Sequence, residues 1–284
     1  MNAPDRINLD AIDGLAVLPS SLRRPDGTPR FNLHFPPSLV TDLGAIHLIR
    51  SETGEGYEPA TRMLLERVLR RGDLFLDVGA HWGFFTLQAA THPAGGIDVV
   101  AFEPELVNAS ILAENITRNK AANVAVICAA CGDRFRVASL VTNSTMGHSI
   151  RGADLRYDQA APAKWVPLVP LDDALANLMI APNRRLILKI DAEGFEAHIV
   201  AGAKSLLTSG RIALIVWECG GSYREGRSRE MMIKMAAFLN DCGFRHVRPP
   251  EGHRDGPLTP FDPVSGHYGN VFSVGPELHR EFNL

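Results

Sequence analysis

Long hydrophobic runs are missing from these 284 residues. No stretch approaches the ~18 consecutive apolar residues that a membrane-spanning helix needs, so no membrane partner is expected. The opening residues, MNAPDRINLDAIDG, carry acids where a secretory leader carries a basic and then an apolar segment, which points to the cytoplasm. Cysteine is scarce: Cys128, Cys131, Cys219 and Cys242. Cys128 and Cys131 form a C-x-x-C, but the other two are 23 residues apart, and a zinc site needs a second close pair. Small apolar residues at a strand end are the expectation there, and no bound metal. An excess of one charge is missing too. With 29 basic and 32 acidic side chains the net charge is −3, too little field to favour nucleic acid, which leaves a small-molecule partner. No internal repeat is visible, and 45% hydrophobic with 21% charged residues excludes a disordered chain.

What is present is a change of texture at Tyr57. Residues 1–56 are polar and rich in Pro and Gly, broken by Phe31–Phe35 (FNLHF) and Ala45–Ile49 (AIHLI). Alternation in both predicts a small hairpin, and the segment reads as an N-terminal extension or lid on a main domain of residues 57–284. From Pro59 a helix with Met63, Leu64, Val68 and Leu69 on one face leads into LFLDVGAHWGFFT, Leu74–Thr86. This stretch reads as a buried strand, a glycine turn with unpaired backbone N–H groups, and the first turn of a helix. Strands follow at Ile97–Phe102, Val124–Ala129, Leu186–Ile190 and Ala213–Trp217, with helices between, one of them running unbroken from Phe195 to Gly210. Late strands near Phe244–Arg248 and Asn270–Val274 suit a closing hairpin. Alternation of strand and helix argues for a parallel sheet with right-handed crossovers. Residues 142–165 lack a period and read as a binding loop or lid.

Four of these strands end on acids: Asp77, Glu103, Asp191 and Glu218. In an open parallel sheet the ligand crevice lies beyond the carboxyl ends of the strands, so these four should share a rim. Glu103 stands 24 residues after Gly79, close to the spacing at which an acid meets ribose hydroxyls. Gly79 and Gly83 enclose Ala80, His81 and Trp82, not the compact G-x-G-x-x-G of a pyrophosphate cradle. An adenosine-bearing cofactor without phosphates is the better fit.

Asp77–Thr86 (DVGAHWGFFT), Phe102–Pro104 (FEP), Gly132-Asp133 and Lys189–Glu196 (KIDAEGFE) occur in an order that resembles the FkbM type of S-adenosylmethionine-dependent methyltransferase. The resemblance spans about Tyr57–Glu218 and the closing strands. It implies an α/β fold with a Rossmann-like, doubly wound, seven-stranded sheet whose last strand runs antiparallel. It further implies that Asp77, Gly79, His81 and Gly83 lie in the cofactor turn, with Asp77 and Gly79 facing the methionine part. Glu103 would face the ribose, and Gly132-Asp133 the adenine amine. His81 departs from the Asn common in the family, and as a titratable group it could make binding pH-sensitive.

Methyl transfer to a hydroxyl oxygen needs that oxygen held in line with the methyl group and a base to take its proton. Asp191 is the first candidate base, with Glu193 beside it; His148 and His198 are rivals. Lys189, two residues before Asp191, shares its face of the strand and can pair with it. Asp191 and Glu193 could instead hold a divalent cation, but no third ligand is evident and a metal is not expected. The expected activity is O-methylation of a small hydroxylated metabolite or sugar. The alternatives are a nicotinamide-dependent oxidoreductase, which the glycine spacing disfavours, and a cofactor-binding protein without turnover.

Overall fold

The computed structural model describes residues 14–54, 56–142, 148–151, 164–220, 226–249, 257–264 and 269–284. An antiparallel pair, β1 (Ala16–Pro19) and β2 (Asn32–Phe35), precedes α1 (Leu43–Thr53) and α2 (Pro59–Val68). Then β3 (Leu74–Val78), α3 (Phe84–Ala90), β4 (Asp98–Phe102), α4 (Leu106–Arg118) and β5 (Val124–Ile127) alternate. A separate four-stranded sheet follows from β6 (Ala130–Cys131), β7 (Arg136–Thr142), β8 (His148–Arg151) and β9 (Lys164–Val169). The chain continues through α5 (Leu171–Asn177), β10 (Leu186–Ile190), α6 (Glu196–Ala201), α7 (Lys204–Thr208) and β11 (Ile212–Cys219). It closes with α8 (Gly226–Asp241), β12 (Arg245–Arg248), β13 (Thr259–Pro260), β14 (Gly269–Val274) and α9 (His279–Phe282).

The main sheet has the order β13-β12-β14-β11-β10-β3-β4-β5. Strands β5, β4, β3, β10 and β11 are parallel, and β14 enters antiparallel between β11 and β12. These are the expected seven strands with the last one reversed; the two-residue β13 adds an eighth at the edge. This is a Rossmann-like α/β fold. Every residue of LFLDV and LILKI is buried because both faces of the sheet are covered. Period-two alternation sends Leu74, Leu76, Val78, Leu186, Leu188 and Ile190 into one core and Phe75 and Ile187 into the other. Asp77 and Lys189 pair in register and, by the same alternation, point to the face that α1, α2 and α3 cover.

Three expectations need correction. Ala45–Ile49 is helical, not extended: Asp42 caps α1 by accepting from the Gly44 and Ala45 N–H groups, and Ala45, Leu48 and Ile49 are buried at i, i+3 and i+4. Residues 142–165 are not wholly irregular, since β8 and the start of β9 extend the small sheet. The helix from Phe195 to Gly210 is broken into α6 and α7. The break falls at Gly202, where a methyl group would run into the Gly132 carbonyl. No helix among the described residues is long and apolar enough to cross a membrane.

Candidate active site

At the carboxyl ends of the parallel strands lies a cavity of about 550 Å³. The four rim acids Asp77, Glu103, Asp191 and Glu218 all line it, as do Gly79, His81, Lys189 and Glu193. Glu103 follows β4 and Glu218 lies near the end of β11; these strands are separated by β3 and β10, so the two acids stand on opposite flanks about 14 Å apart.

Four N–H groups of the turn after β3 already have acceptors. Gly79 and Ala80 both donate to the Phe102 carbonyl, His81 donates to Glu103 Oε2 at 2.8 Å, and Gly83 donates to Ala80. The first three tie the turn to the end of β4, and those three donors are not left for an anion. Gly79 adopts φ +82°, and a Cβ there would run into the Asp191 carbonyl, so glycine is required where the turn crosses the end of β10. His81 is also left-handed, at φ +51°. Asn, Asp and His are the non-glycine residues enriched in that region, which gives a backbone reason for the departure from Asn. Trp82 turns away from solvent, stacks on Phe35 of β2 and donates to Asn108 Oδ1, so its bulk belongs to the core.

Glu103 is 4% exposed, with Oε2 on the His81 N–H and Oε1 on the Glu105 N–H at 2.9 Å. Burial pushes its pKa up to about 7 in spite of these bonds. Asp77 is 1% exposed; Oδ2 accepts from Thr86 at 2.6 Å, and Oδ1 is buried with no hydrogen-bond partner among the described residues. A buried carboxylate oxygen left open toward a cavity fits a ligand that donates or carries positive charge there.

Lys189 is the only lysine or arginine among the described lining residues. Its ammonium donates to Asp191 Oδ2 at 2.9 Å and sits 4.8 Å from the centre of the Phe85 ring. Burial pulls it toward neutrality, but Asp191, Glu58 and Asp77 together reverse this, and its pKa stands above the ordinary lysine value. On the far flank, Glu218 reaches about 8 and Glu193 about 7, each through burial first and the charge of Asp191 next. One carboxylate oxygen each from Asp191, Glu193 and Glu218 lie within 4.8 Å of one another. Glu218 is the third carboxylate that the sequence did not place beside the other two.

Other wall residues escaped the sequence reading. Tyr57 and Glu58 enter from the start of α2, and Asn270 from β14, in register with Glu218. Asn270 donates to Glu58 Oε2 at 2.6 Å. Glu58 adopts φ +40°, a constrained conformation for a non-glycine residue, and the following Pro59 was the only sequence mark of the position. Gly44, His47 and Leu48 of α1 complete this side, so the N-terminal segment does contribute to the cavity.

Gly132 and Asp133 stand outside the cavity, whose wall there is Ala129, Ala130 and Cys131. The Asp133 carboxylate faces Arg136 at 3.6 Å and Arg134 at 3.9 Å. His198 stacks on Phe195 away from the cavity. His148 opens β8 in register with Thr142, and only its backbone is described.

A parallel sheet with a glycine turn, a ribose-spaced acid and a carboxylate-rich far flank defines a nucleoside-cofactor fold. The model of the methyltransferase FkbM domain matches residues 77–246, more than half of the chain, and the chain belongs to that family. Among solved structures it is similar to methyltransferase FkbM from Methylobacillus flagellatus KT, at 15% identity and TM-score 0.49, over 76% of this chain and 48% of that one. It therefore spans about half the length of that structure. It is also similar to a SAM-dependent methyltransferase from Aquifex aeolicus (15% identity, TM-score 0.41, 84% of this chain and 98% of that one). A third is a SAM-dependent O-methyltransferase from Thermotoga maritima (12% identity, TM-score 0.39, 89% and 76%). No curated protein sequence matches.

Proposed function

We propose that this protein transfers the methyl group of S-adenosylmethionine to a hydroxyl oxygen of a small metabolite or sugar. The observation that carries the reading is the open Oδ1 of Asp77, buried beside a turn whose Gly79, Ala80, His81 and Gly83 N–H groups are already used. Such a site suits a cofactor that is cationic and free of phosphate, and disfavours the pyrophosphate of a nicotinamide dinucleotide. Asp77 and Gly79 would hold the methionine part and Glu103 the ribose. The adenine would rest on Ala129, Ala130 and Cys131, with its amine toward Asp133, whose Oδ1 is buried without a hydrogen-bond partner among the described residues.

When bound, the cofactor supplies a methyl group on a positively charged sulfur, and a carbon–oxygen bond forms as the carbon–sulfur bond breaks. The chain's part is to hold the acceptor oxygen in line and to take its proton. Asp191 is placed for this, with Lys189 fixing its carboxylate and Glu193 next to it. Calorimetry with S-adenosylmethionine and radiolabel transfer into a metabolite extract test the reading. Micromolar binding and labelled product are expected, and tight nicotinamide dinucleotide binding in their place would overturn it. Binding without any S-adenosylhomocysteine formed would point to a cofactor-binding protein. Asp191→Asn should abolish turnover and leave cofactor affinity unchanged.

A further inference from the structure

The cavity is unbalanced in charge. Glu58, Asp77, Glu103, Asp191, Glu193 and Glu218 line it, against Lys189 alone among the described lysines and arginines. Lys189 is already engaged by Asp191, and Glu58 is held by Asn270. A bound S-adenosylmethionine brings one net positive charge, and it falls to the open oxygen of Asp77. Glu193 and Glu218 then make no ion pair among the described residues, Lys189 acting on Glu193 only through space. Resting on the methyl-transfer reading, we propose that the acceptor is an amine-bearing alcohol whose ammonium group is held by Glu193 and Glu218, with Asp191 completing the triangle.

One carboxylate oxygen each from Asp191, Glu193 and Glu218 lie within 4.8 Å of one another, so a single ammonium nitrogen can sit within about 2.8 Å of all three and donate to each. Tyr57 and Phe85 add aromatic surface to the same cavity, a surface that favours organic cations. Burial and mutual repulsion raise the proton affinity of Glu193 and Glu218, as expected for carboxylates that await a cation. An acidic acceptor would meet these groups as a like charge and be excluded.

The test uses full-length protein saturated with S-adenosylhomocysteine and three probes of one size: glucosamine, glucose and glucuronate. Calorimetry at pH 7 should show glucosamine binding at least tenfold more tightly than glucose, with glucuronate weakest. Glu193→Gln, at an exposed rim position, should remove most of that preference while the S-adenosylhomocysteine affinity stays within about twofold. Equal affinities, no binding by any of the three, or a preference for glucose or glucuronate overturns the proposal. So does a magnesium ion that displaces glucosamine and creates glucose binding. Failure of the wild-type protein to bind S-adenosylhomocysteine would instead strike at the methyl-transfer reading itself.

Discussion

On the β3–β4 flank of the cavity, Glu103 has both oxygens fixed by backbone N–H groups, and Asp77 has one oxygen fixed by Thr86. On the β10–β11 flank, Asp191 has one ion pair with Lys189, while Glu193 and Glu218 repel each other and Asp191. The first flank is organised before any ligand arrives, because backbone donors cannot swing away. The second holds charge in reserve, and its groups are half-buried or exposed. Rigid recognition of an invariant cofactor and adaptable recognition of an acceptor are the two tasks such a difference suits.

Four substitutions break or sharpen this contrast. Lys189→Met removes the cation shared by Asp77, Asp191 and Glu58, and should cost about 3–5 kcal/mol of stability, read from urea unfolding, because buried carboxylates lose their partner. Gly79→Ala attacks the point where the flanks touch; the clash with Asp191 and the positive φ should together cost about 2–4 kcal/mol by the same measurement. Glu103→Gln should weaken S-adenosylmethionine binding at pH 8 by about 1.5–3 kcal/mol, roughly ten- to hundredfold in Kd. Wild-type affinity should rise as pH climbs through about 7, where Glu103 ionises, and the variant should lack that rise. The smallest effect has the opposite sign. Glu218 titrates near 8 in the folded protein, well above its ordinary carboxylate value, so its contribution to stability is intact below the unfolded pKa and is lost as pH rises toward 8. Glu218→Gln should therefore stabilise the free protein at pH 9 by about 1 kcal/mol, a few degrees in Tm, and leave it unchanged at pH 4.

Much of the first flank was legible because its signals are local. A buried run ending in Asp77, the glycines of the turn, and an acid at the end of the next strand fall within thirty residues, and short-range pattern carries them. The second flank was legible as single acids but not as a group. Whether Glu193 and Glu218 meet depends on the direction in which the chain leaves β10, through the left-handed Glu193 and Gly194. AIHLI misled because five residues satisfy either period, and the Asp42 cap decided for the helix. Gly132-Asp133 is an intact motif that lies just outside the cavity wall, with one carboxylate oxygen buried and without a hydrogen-bond partner among the described residues.

By itself the sequence determined the alternation of strand and helix, the turn at Gly79, the acids at the strand ends and the methyltransferase family, because periodicity and local backbone preference are written in adjacent residues. Tertiary structure alone decided what closes the cavity. Glu58 and Asn270 are 212 positions apart and meet only because β14 inserts beside β11 and the start of α2 brings Glu58 and Thr61 against it. Tertiary structure also decided that the Gly79 and Ala80 N–H groups go to β4 and that Asp77 keeps one oxygen open. Hydrogen-bond satisfaction is a property of the assembled neighbourhood, and no single stretch of chain encodes it.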